Sequence, residues 1–149
     1  LAVQNIDYAP TFAQIAGLDV PDDMHGLSLL PLLKGEESPC WRDGVYYHYY
    51  EYPAEHAVRK HFGIRTDRYK LIRFYSDSTD AARVGRAWLK DKEKALKEVN
   101  EWELYDLQED PSEMNNIYGQ EGTEELVADL KRRLKALQAQ YGESHFWRD

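Results

Sequence analysis

Residues 45–75 constrain the fold more than any other stretch of this chain. They open with the aromatic run YYHYYEY at residues 46–52, and aromatic side chains favour β-strands. Pro53 predicts the end of that strand, because proline cannot donate to a ladder. Residues 62–66 and 69–75 predict two more strands, joined by a tight turn at Asp67-Arg68. The stretch therefore predicts an antiparallel meander.

The polar loop between the first two predicted strands is the best candidate for a binding site. It carries His56, Arg59 and Lys60, and His61 follows at its exit. Loops held by a rigid scaffold often bind ligands, and histidine and arginine side chains donate hydrogen bonds to oxygen acceptors. We expect His61, His56 and Arg59 to be the binding residues and Lys60 to be a solvated surface charge.

A zinc site is the competing interpretation of the histidines. His48, His56 and His61 are separated by eight and five residues, and these spacings match no common zinc motif. The tyrosines around His48 could stack on a ligand, but aromatic residues of a strand more often pack into a core.

Residues 1–35 predict two short helices. For the first helix, Asp7 is the expected N-cap, Pro10 falls in the first turn and Gly17 ends the helix, with an apolar face of Tyr8, Phe12, Ile15 and Ala16. For the second helix, Ser28 is the expected N-cap and Pro31 falls in the first turn. The leucines at 27, 29, 30, 32 and 33 need a larger partner surface than a small neighbour offers. Without that partner, we expect self-association through residues 1–35.

The second half of the chain predicts a helix, a strand and a final helix. Residues 80–100 predict an amphipathic helix capped by Asp80, and residues 102–107 alternate as a strand. The carboxylates that follow do not fit a calcium loop, which needs a central Gly and a terminal Glu. We expect Asp106 and Asp110 to stabilise turns instead.

The final helix is predicted to hold the domain together. Thr123 is its expected N-cap, and one apolar stripe comprises Leu126, Leu130, Leu134, Leu137 and Tyr141. The predicted fold class is α+β: an antiparallel sheet of about four strands packed against a C-terminal α-helix, preceded by short helices.

Composition excludes several function classes. The 19 basic and 27 acidic residues give a net charge of −8, which argues against a nucleic-acid partner. No stretch approaches the length of a membrane span, and the single Cys40 excludes an internal disulfide. Residues 1–4 (LAVQ) show no signal peptide, and we expect that something upstream has been cut away.

Several motifs resemble the carboxy-terminal region of type I, formylglycine-dependent sulfatases. They are YYEYP at 49–53, HFGIRT at 61–66, RYKLI at 68–72, HGLSL at 25–29 and LYDLQEDPSEMNN at 104–116. The likeness is strongest to bacterial enzymes that act on glycosaminoglycan-type sugars. It implies that residues 1–35 are trailing helices of an α/β catalytic domain and that residues 36–149 form the C-terminal subdomain, with 36–44 as a linker and 80–100 as an insertion.

The resemblance also implies where the chemistry lies. Such sulfatases make formylglycine from Cys or Ser in the pattern Cys/Ser-x-Pro/Ala-x-Arg and hold a calcium ion with Asp and Asn. Cys40 is followed by Trp41 and Arg42, which is the wrong spacing, and no serine fits the pattern. We therefore expect no catalytic residue, metal ligand or cofactor in this chain, with calcium and formylglycine belonging to the full-length enzyme.

For the full-length enzyme, the resemblance implies hydrolysis of a sulfate ester on a carbohydrate in the bacterial periplasm, with His61, His56 and Arg59 contacting the sugar. Two alternatives remain open. One is a stand-alone carbohydrate-binding or interaction module, and the other is the C-terminal part of another hydrolase of the alkaline phosphatase superfamily. The sugar and the position of its sulfate are not defined by these residues.

Overall fold

The structure is a computed structural model that describes residues 1–36, 41–53, 58–77, 79–80 and 97–143. Its helices are the 3-10 helix Asn5–Asp7, α1 (Tyr8–Ile15), α2 (Leu30–Leu33) and α3 (Glu124–Gln140); its strands are β1 (Val45–Tyr49), β2 (His61–Arg65), β3 (Tyr69–Tyr75) and β4 (Asn100–Asp106). The chain divides into two compact units, the leading unit Leu1–Val45 and the sheet unit Tyr46–Asp149.

The sheet has four strands in the order β1-β2-β3-β4, which confirms the predicted α+β fold. β3 pairs antiparallel with both neighbours, and Leu71 lies opposite Ile64 on one side and Leu104 on the other. The turn predicted between β2 and β3 is confirmed, since the Thr66 N–H donates to the Tyr69 carbonyl at 2.8 Å. The predicted end of the first strand was wrong, because β1 stops at Tyr49, three residues early.

One face of the sheet and helix α3 enclose the core. The buried cluster consists of Phe62, Ile64, Leu71, Tyr75, Leu104, Leu130 and Leu134. Leu126 and Leu137 pack against it while partly exposed, and Tyr141 stacks on Tyr46 with ring centroids 6.0 Å apart. The predicted apolar stripe of α3 is confirmed, and it supplies the cover that a sheet face requires.

The cap predicted for α3 differs in its bonding. Thr123 occupies the N-cap position, but its hydroxyl donates backwards to the Gln120 carbonyl at 2.7 Å instead of accepting from the helix. Glu124 and Glu125 lie in the first turn, where carboxylates complement the helix dipole. The start of α3 is therefore stabilised by charge and by the turn before it.

The segment after β4 folds through its own carboxylates, as predicted. Asp106 accepts the Gln108 N–H at 3.1 Å, and Asp110 accepts the Asn115 N–H at 2.7 Å. Asp106 also accepts hydrogen bonds from two nitrogens of Arg68, and these bonds lower the pKa of its carboxyl. These bonds return the chain to the sheet, where the Leu104 N–H donates to the Asn116 side chain at 2.9 Å.

The leading unit is organised around the buried carboxylate of Asp7. Asp7 stands at the predicted N-cap of α1 but makes no capping bond there. Its oxygens accept the N–H groups of Gln4 at 2.7 Å and Leu27 at 2.9 Å, and both terminal nitrogens of Arg42 at 2.6 Å. The prediction of a cap was wrong in mechanism, because the Gln4 N–H and the distant donors Leu27 and Arg42 occupy the carboxylate.

Close backbone packing in the leading unit requires a glycine. A Cβ at Gly26 would lie 2.0 Å from the Ile6 carbonyl oxygen, so no side chain fits there. Thr11 accepts the Leu29 N–H at 2.8 Å, and Ser28 accepts that of Leu30 at 3.2 Å from just before α2. Trp41 donates its ring N–H to the Ala2 carbonyl at 2.9 Å.

Some predictions fall outside the described residues. His56, residues 37–40 of the linker (Cys40 among them) and most of the helix predicted at 80–100 lie there. The predicted end of that helix was wrong, because residues 97–99 are not helical and Asn100 already begins β4.

Candidate functional site

The structure brings two of the three predicted binding residues together at the start of β2. His61 is the first residue of that strand, and Arg59 lies two positions before it. The ring nitrogen Nδ1 of His61 is 2.8 Å from the Arg59 carbonyl oxygen. His56, the third predicted residue, lies outside the described part of the chain.

The imidazole of His61 is held by aromatic rings from the strands on both sides. It stacks on Tyr49 of β1, with centroids 5.5 Å apart and planes 24° apart. Tyr47 presents its edge at 6.1 Å, and Phe74, the register partner of His61 on β3, lies at 5.2 Å. The side chain is half-buried. A ring enclosed in this way keeps one orientation, which is what a positioned recognition group requires.

Arg59 is anchored by an aromatic ring of its own. Its guanidinium lies 4.6 Å from the ring centre of Tyr52, which is buried. Such cation–π contacts contribute about 0.5–1 kcal/mol at exposed sites and more where water is excluded. This contact fixes the position of the guanidinium against Tyr52.

Lys60 is buried, so the expectation of a surface charge was wrong. Its side chain is 2% exposed, and its ammonium lies 2.7 Å from Asp77, 2.6 Å from Asp80 and 2.8 Å from the Thr79 hydroxyl. Burial alone would raise the pKa of Asp77, but bonds from Lys60 and Thr79 outweigh it and lower that pKa to about 2. Three polar partners offset the desolvation of the ammonium.

Lys60 therefore anchors the end of the candidate loop to the segment that follows β3. Its carbonyl also accepts the N–H of Tyr75, the last residue of β3, at 3.0 Å. Because Arg59 and His61 flank Lys60, this anchor sets the position of both.

The geometry separates the histidines of the zinc alternative. Successive residues of a strand point to opposite faces, so His48 and its neighbours Tyr47 and Tyr49 lie on different sides of the sheet. His48 contacts Phe62 and Tyr75 of the core, while Tyr47 and Tyr49 contact His61. His48 and His61 thus cannot share one ion. Within the described ranges, no group of three or more His, Cys, Asp or Glu side chains could hold a metal.

His48 instead belongs to a polar network that the sequence did not reveal. Its Nδ1 lies 2.9 Å from Glu143, and its Nε2 lies 2.6 Å from the Tyr75 hydroxyl. The Tyr46 hydroxyl also donates to Glu143, and burial together with that carboxylate raises the pKa of Tyr46. The network joins β1 to Glu143 in the turn that follows α3. No local signal links residues separated by 95 positions.

Fold and site together define a class of protein. A four-stranded sheet backed by a C-terminal helix presents a histidine–arginine pair, and no residue in this chain fits the nucleophile pattern of a sulfatase. This arrangement is the one implied by the resemblance of the sequence to the C-terminal region of sulfatases.

Residues 1–84 and 93–140 match the family described as "N-sulphoglucosamine sulphohydrolase, C-terminal". The chain belongs to this family, which confirms the resemblance to sulfatases. The interval between the matched segments, residues 85–92, lies within the predicted insertion.

Individual relatives agree with this family. The chain is 44% identical over 139 residues to an N-acetylglucosamine-6-O-sulfatase of Bacteroides thetaiotaomicron, covering 92% of this chain and 21% of the relative. A solved structure of a protein in complex with its substrate D-glucosamine-2-N,6-O-disulfate has a TM-score of 0.76 at 41% identity, over 93% of this chain and 24% of that one.

A third relative comes from a different enzyme class. The structure of the phosphonate monoester hydrolase of Agrobacterium radiobacter has a TM-score of 0.62 at 25% identity, over 90% of this chain and 24% of that one. The chain thus spans roughly a quarter of the length of the relatives it matches. Among the helices the structure describes, none is both long and apolar enough to cross a membrane.

Proposed function

We propose that the full-length protein is a sulfuric ester hydrolase acting on a sulfated, glycosaminoglycan-type carbohydrate. In this proposal the present chain completes the sugar-binding side of the substrate pocket and performs no chemical step. The observation that carries the proposal is the ordered pair of Arg59 and His61 at the start of β2, in a chain that belongs to a sulfatase family.

The pair suits recognition of a sugar with anionic substituents. Arginine presents a planar fork of donors that matches sulfate or carboxylate oxygens, and imidazole exchanges hydrogen bonds with hydroxyl groups. We assign sugar contacts to His61 and Arg59, and to His56 beside them in sequence. These contacts hold the substrate in one place, which accelerates the reaction by orientation.

The residues present do not fit calcium or formylglycine. No side-chain cluster in the described ranges could hold a metal ion, and no Cys or Ser in the sequence stands in the required pattern. When bound, calcium would offset sulfate charge and formylglycine would supply the nucleophile. We place both in the remainder of the full-length enzyme and assign no chemical step to the residues of this chain.

The remaining assignments follow from the same proposal. Residues 1–35 would complete the α/β catalytic domain, and 36–149 would form the C-terminal subdomain, with Trp41 and Arg42 of its linker bonded to the leading unit. A bacterial periplasmic location would suit an enzyme that meets extracellular polysaccharides, and neither nucleic acid nor a membrane is expected as a partner. Secretion assays on the full-length gene product would test the location.

The decisive experiment compares two substrates in the full-length enzyme. His61→Ala should lower kcat/KM on a sulfated glucosamine by about 10- to 150-fold, since losing one hydrogen bond to a charged or polar group costs about 1.5–3 kcal/mol. A small aryl sulfate, which lacks the sugar, should react as before. The matched control is Arg65→Ala, an exposed cation at the other end of β2, which should change neither rate.

Other outcomes would contradict the proposal. Equal losses on both substrates would mean that His61 serves the chemistry or the fold. No loss on either substrate would mean that His61 is a surface residue, and an inactive wild-type enzyme would reject sulfate ester hydrolysis itself.

Phosphonate ester hydrolysis is the second candidate, favoured by the likeness to the Agrobacterium enzyme. The full-length protein should be assayed on matched aryl sulfate, phosphate and phosphonate esters. A kcat/KM that is highest for the phosphonate would select this candidate over the first.

A further inference from the structure

One hydrogen bond determines which nitrogen of His61 carries a proton. Nδ1 lies 2.8 Å from the backbone carbonyl oxygen of Arg59, and a carbonyl oxygen can only accept. Nδ1 must therefore be the donor. In a neutral imidazole the other nitrogen, Nε2, then carries a lone pair and acts as an acceptor.

The ring cannot reverse these roles by turning over. A half-turn would replace Nδ1 by a carbon and leave the Arg59 carbonyl without its donor. Tyr49 stacks on the imidazole, and Phe74 packs beside it from the opposite strand, so the ring plane is fixed as well. The half-buried side chain makes no bond through Nε2 within the described ranges.

We propose that Nε2 of His61 accepts a hydrogen bond from a hydroxyl or amide N–H of the sugar, and that this contact selects against a sulfate at that position. Sulfate oxygens are acceptors, so a sulfated substituent would place lone pairs against the lone pair of Nε2. The inference rests on the proposed function and adds a specificity rule to it. His61 recognises an unmodified donor group, and recognition of negative charge is assigned to Arg59.

The experiment is a double-mutant cycle between enzyme and substrate. Full-length wild type and His61→Ala are assayed on a sulfated glucosamine and on analogues in which each free hydroxyl in turn is replaced by fluorine. Fluorine removes the donor but keeps similar size. The assays are run at about pH 8, above the ordinary titration range of histidine.

At the position of the hydroxyl that donates to Nε2, fluorine should lower the wild-type kcat/KM by about tenfold. The same analogue should cause no further loss in His61→Ala. A sulfate at that position should be rejected more strongly by wild type than by the variant. Equal fluorine effects in both enzymes at every position would overturn the inference while the proposed function stands. An inactive wild-type enzyme would overturn both.

A second measurement does not depend on activity. The ¹⁵N spectrum of histidine-labelled protein should show a protonated Nδ1 and an unprotonated Nε2 of His61 at the same pH. The His61 signal is assigned from its absence in His61→Ala, or in His61→Gln if the alanine variant does not fold. A protonated Nε2 would overturn the inference even if the variant fails to fold.

Discussion

The two units bury opposite kinds of residue. In the leading unit, the buried side chains include Asp7 and Thr11, while Phe12 and Leu33 are 66% and 71% exposed. In the sheet unit, the fully buried side chains are mainly apolar, as at Leu71, Leu130 and Leu134. The leading unit is thus held by hydrogen bonds to one carboxylate, and the sheet unit by an ordinary hydrophobic core.

This difference indicates what each unit requires. A core that closes on itself can support an independent subdomain, whereas an exposed apolar surface needs a partner. The contrast supports the proposal that residues 1–35 complete another domain while the sheet unit provides the binding pair.

The largest expected effect concerns Asp7. Asp7→Ala removes a buried carboxylate from the largely enclosed Arg42 and from two N–H donors, and breaking a buried ion pair costs about 3–5 kcal/mol. Hydrogen exchange at the Gln4 and Leu27 amides should report the loss of protection, with the exposed Asp19→Ala as the control. Unchanged exchange at both amides would contradict the central role of this carboxylate.

The next effect tests the core of the sheet unit. Leu130→Ala should lower the free energy of unfolding by about 2–5 kcal/mol, because Leu130 is 1% exposed and truncation leaves a cavity. Leu33→Ala makes the same change in the leading unit at an exposed position and should cost much less. Urea titration of both variants measures the comparison, and equal costs would show that the units do not differ as described.

The ion cluster around Lys60 makes the sheet unit sensitive to acid. The pKa of Asp77 is about 2, below its ordinary 3.8, so its contribution of about 2 kcal/mol is present above about pH 5. It should be lost as the pH falls towards 2. Asp77→Asn should remove this part of the pH dependence in urea titrations from pH 5 to 2. An identical profile in wild type and variant would show that Asp77 is not the group responsible.

The smallest effect on stability falls on the apolar surface of the leading unit. The isolated chain should self-associate through residues 1–35, and Phe12→Ser with Leu33→Ser should reduce association with little change in unfolding free energy, since both side chains are exposed. Light scattering measures the change. A monomeric wild-type chain at all accessible concentrations would refute the prediction.

The parts of the fold with a local signal were predictable from sequence. The four-residue spacing of Leu126, Leu130 and Leu134 identified α3, and the alternation after Tyr69 identified β3. Long-range partners were not predictable. Lys60 looked like a loop charge because Asp77 and Asp80 lie 17 and 20 positions away, and Asp7 looked like a helix cap because its partner Arg42 lies 35 positions away.

The candidate site also combines features that have a local sequence signal with features that depend on distant residues. His61 and Arg59 could be selected from sequence, because basic residues in a loop between strands are a local pattern. Their enclosure by Tyr49, Tyr52 and Phe74, and the bond that directs the imidazole, depend on how the strands pair.

The bonds of Trp41 and Arg42 determine where this protein can be divided. Both residues lie in the stretch that the sequence marked as a linker, yet they bond to Ala2 and Asp7 and belong to the leading unit. A recombinant subdomain that begins at residue 36 would contain Trp41 and Arg42 without their hydrogen-bond partners Ala2 and Asp7. A fragment that begins at Tyr46 would lack both residues, and we expect it to express in soluble form at a higher yield.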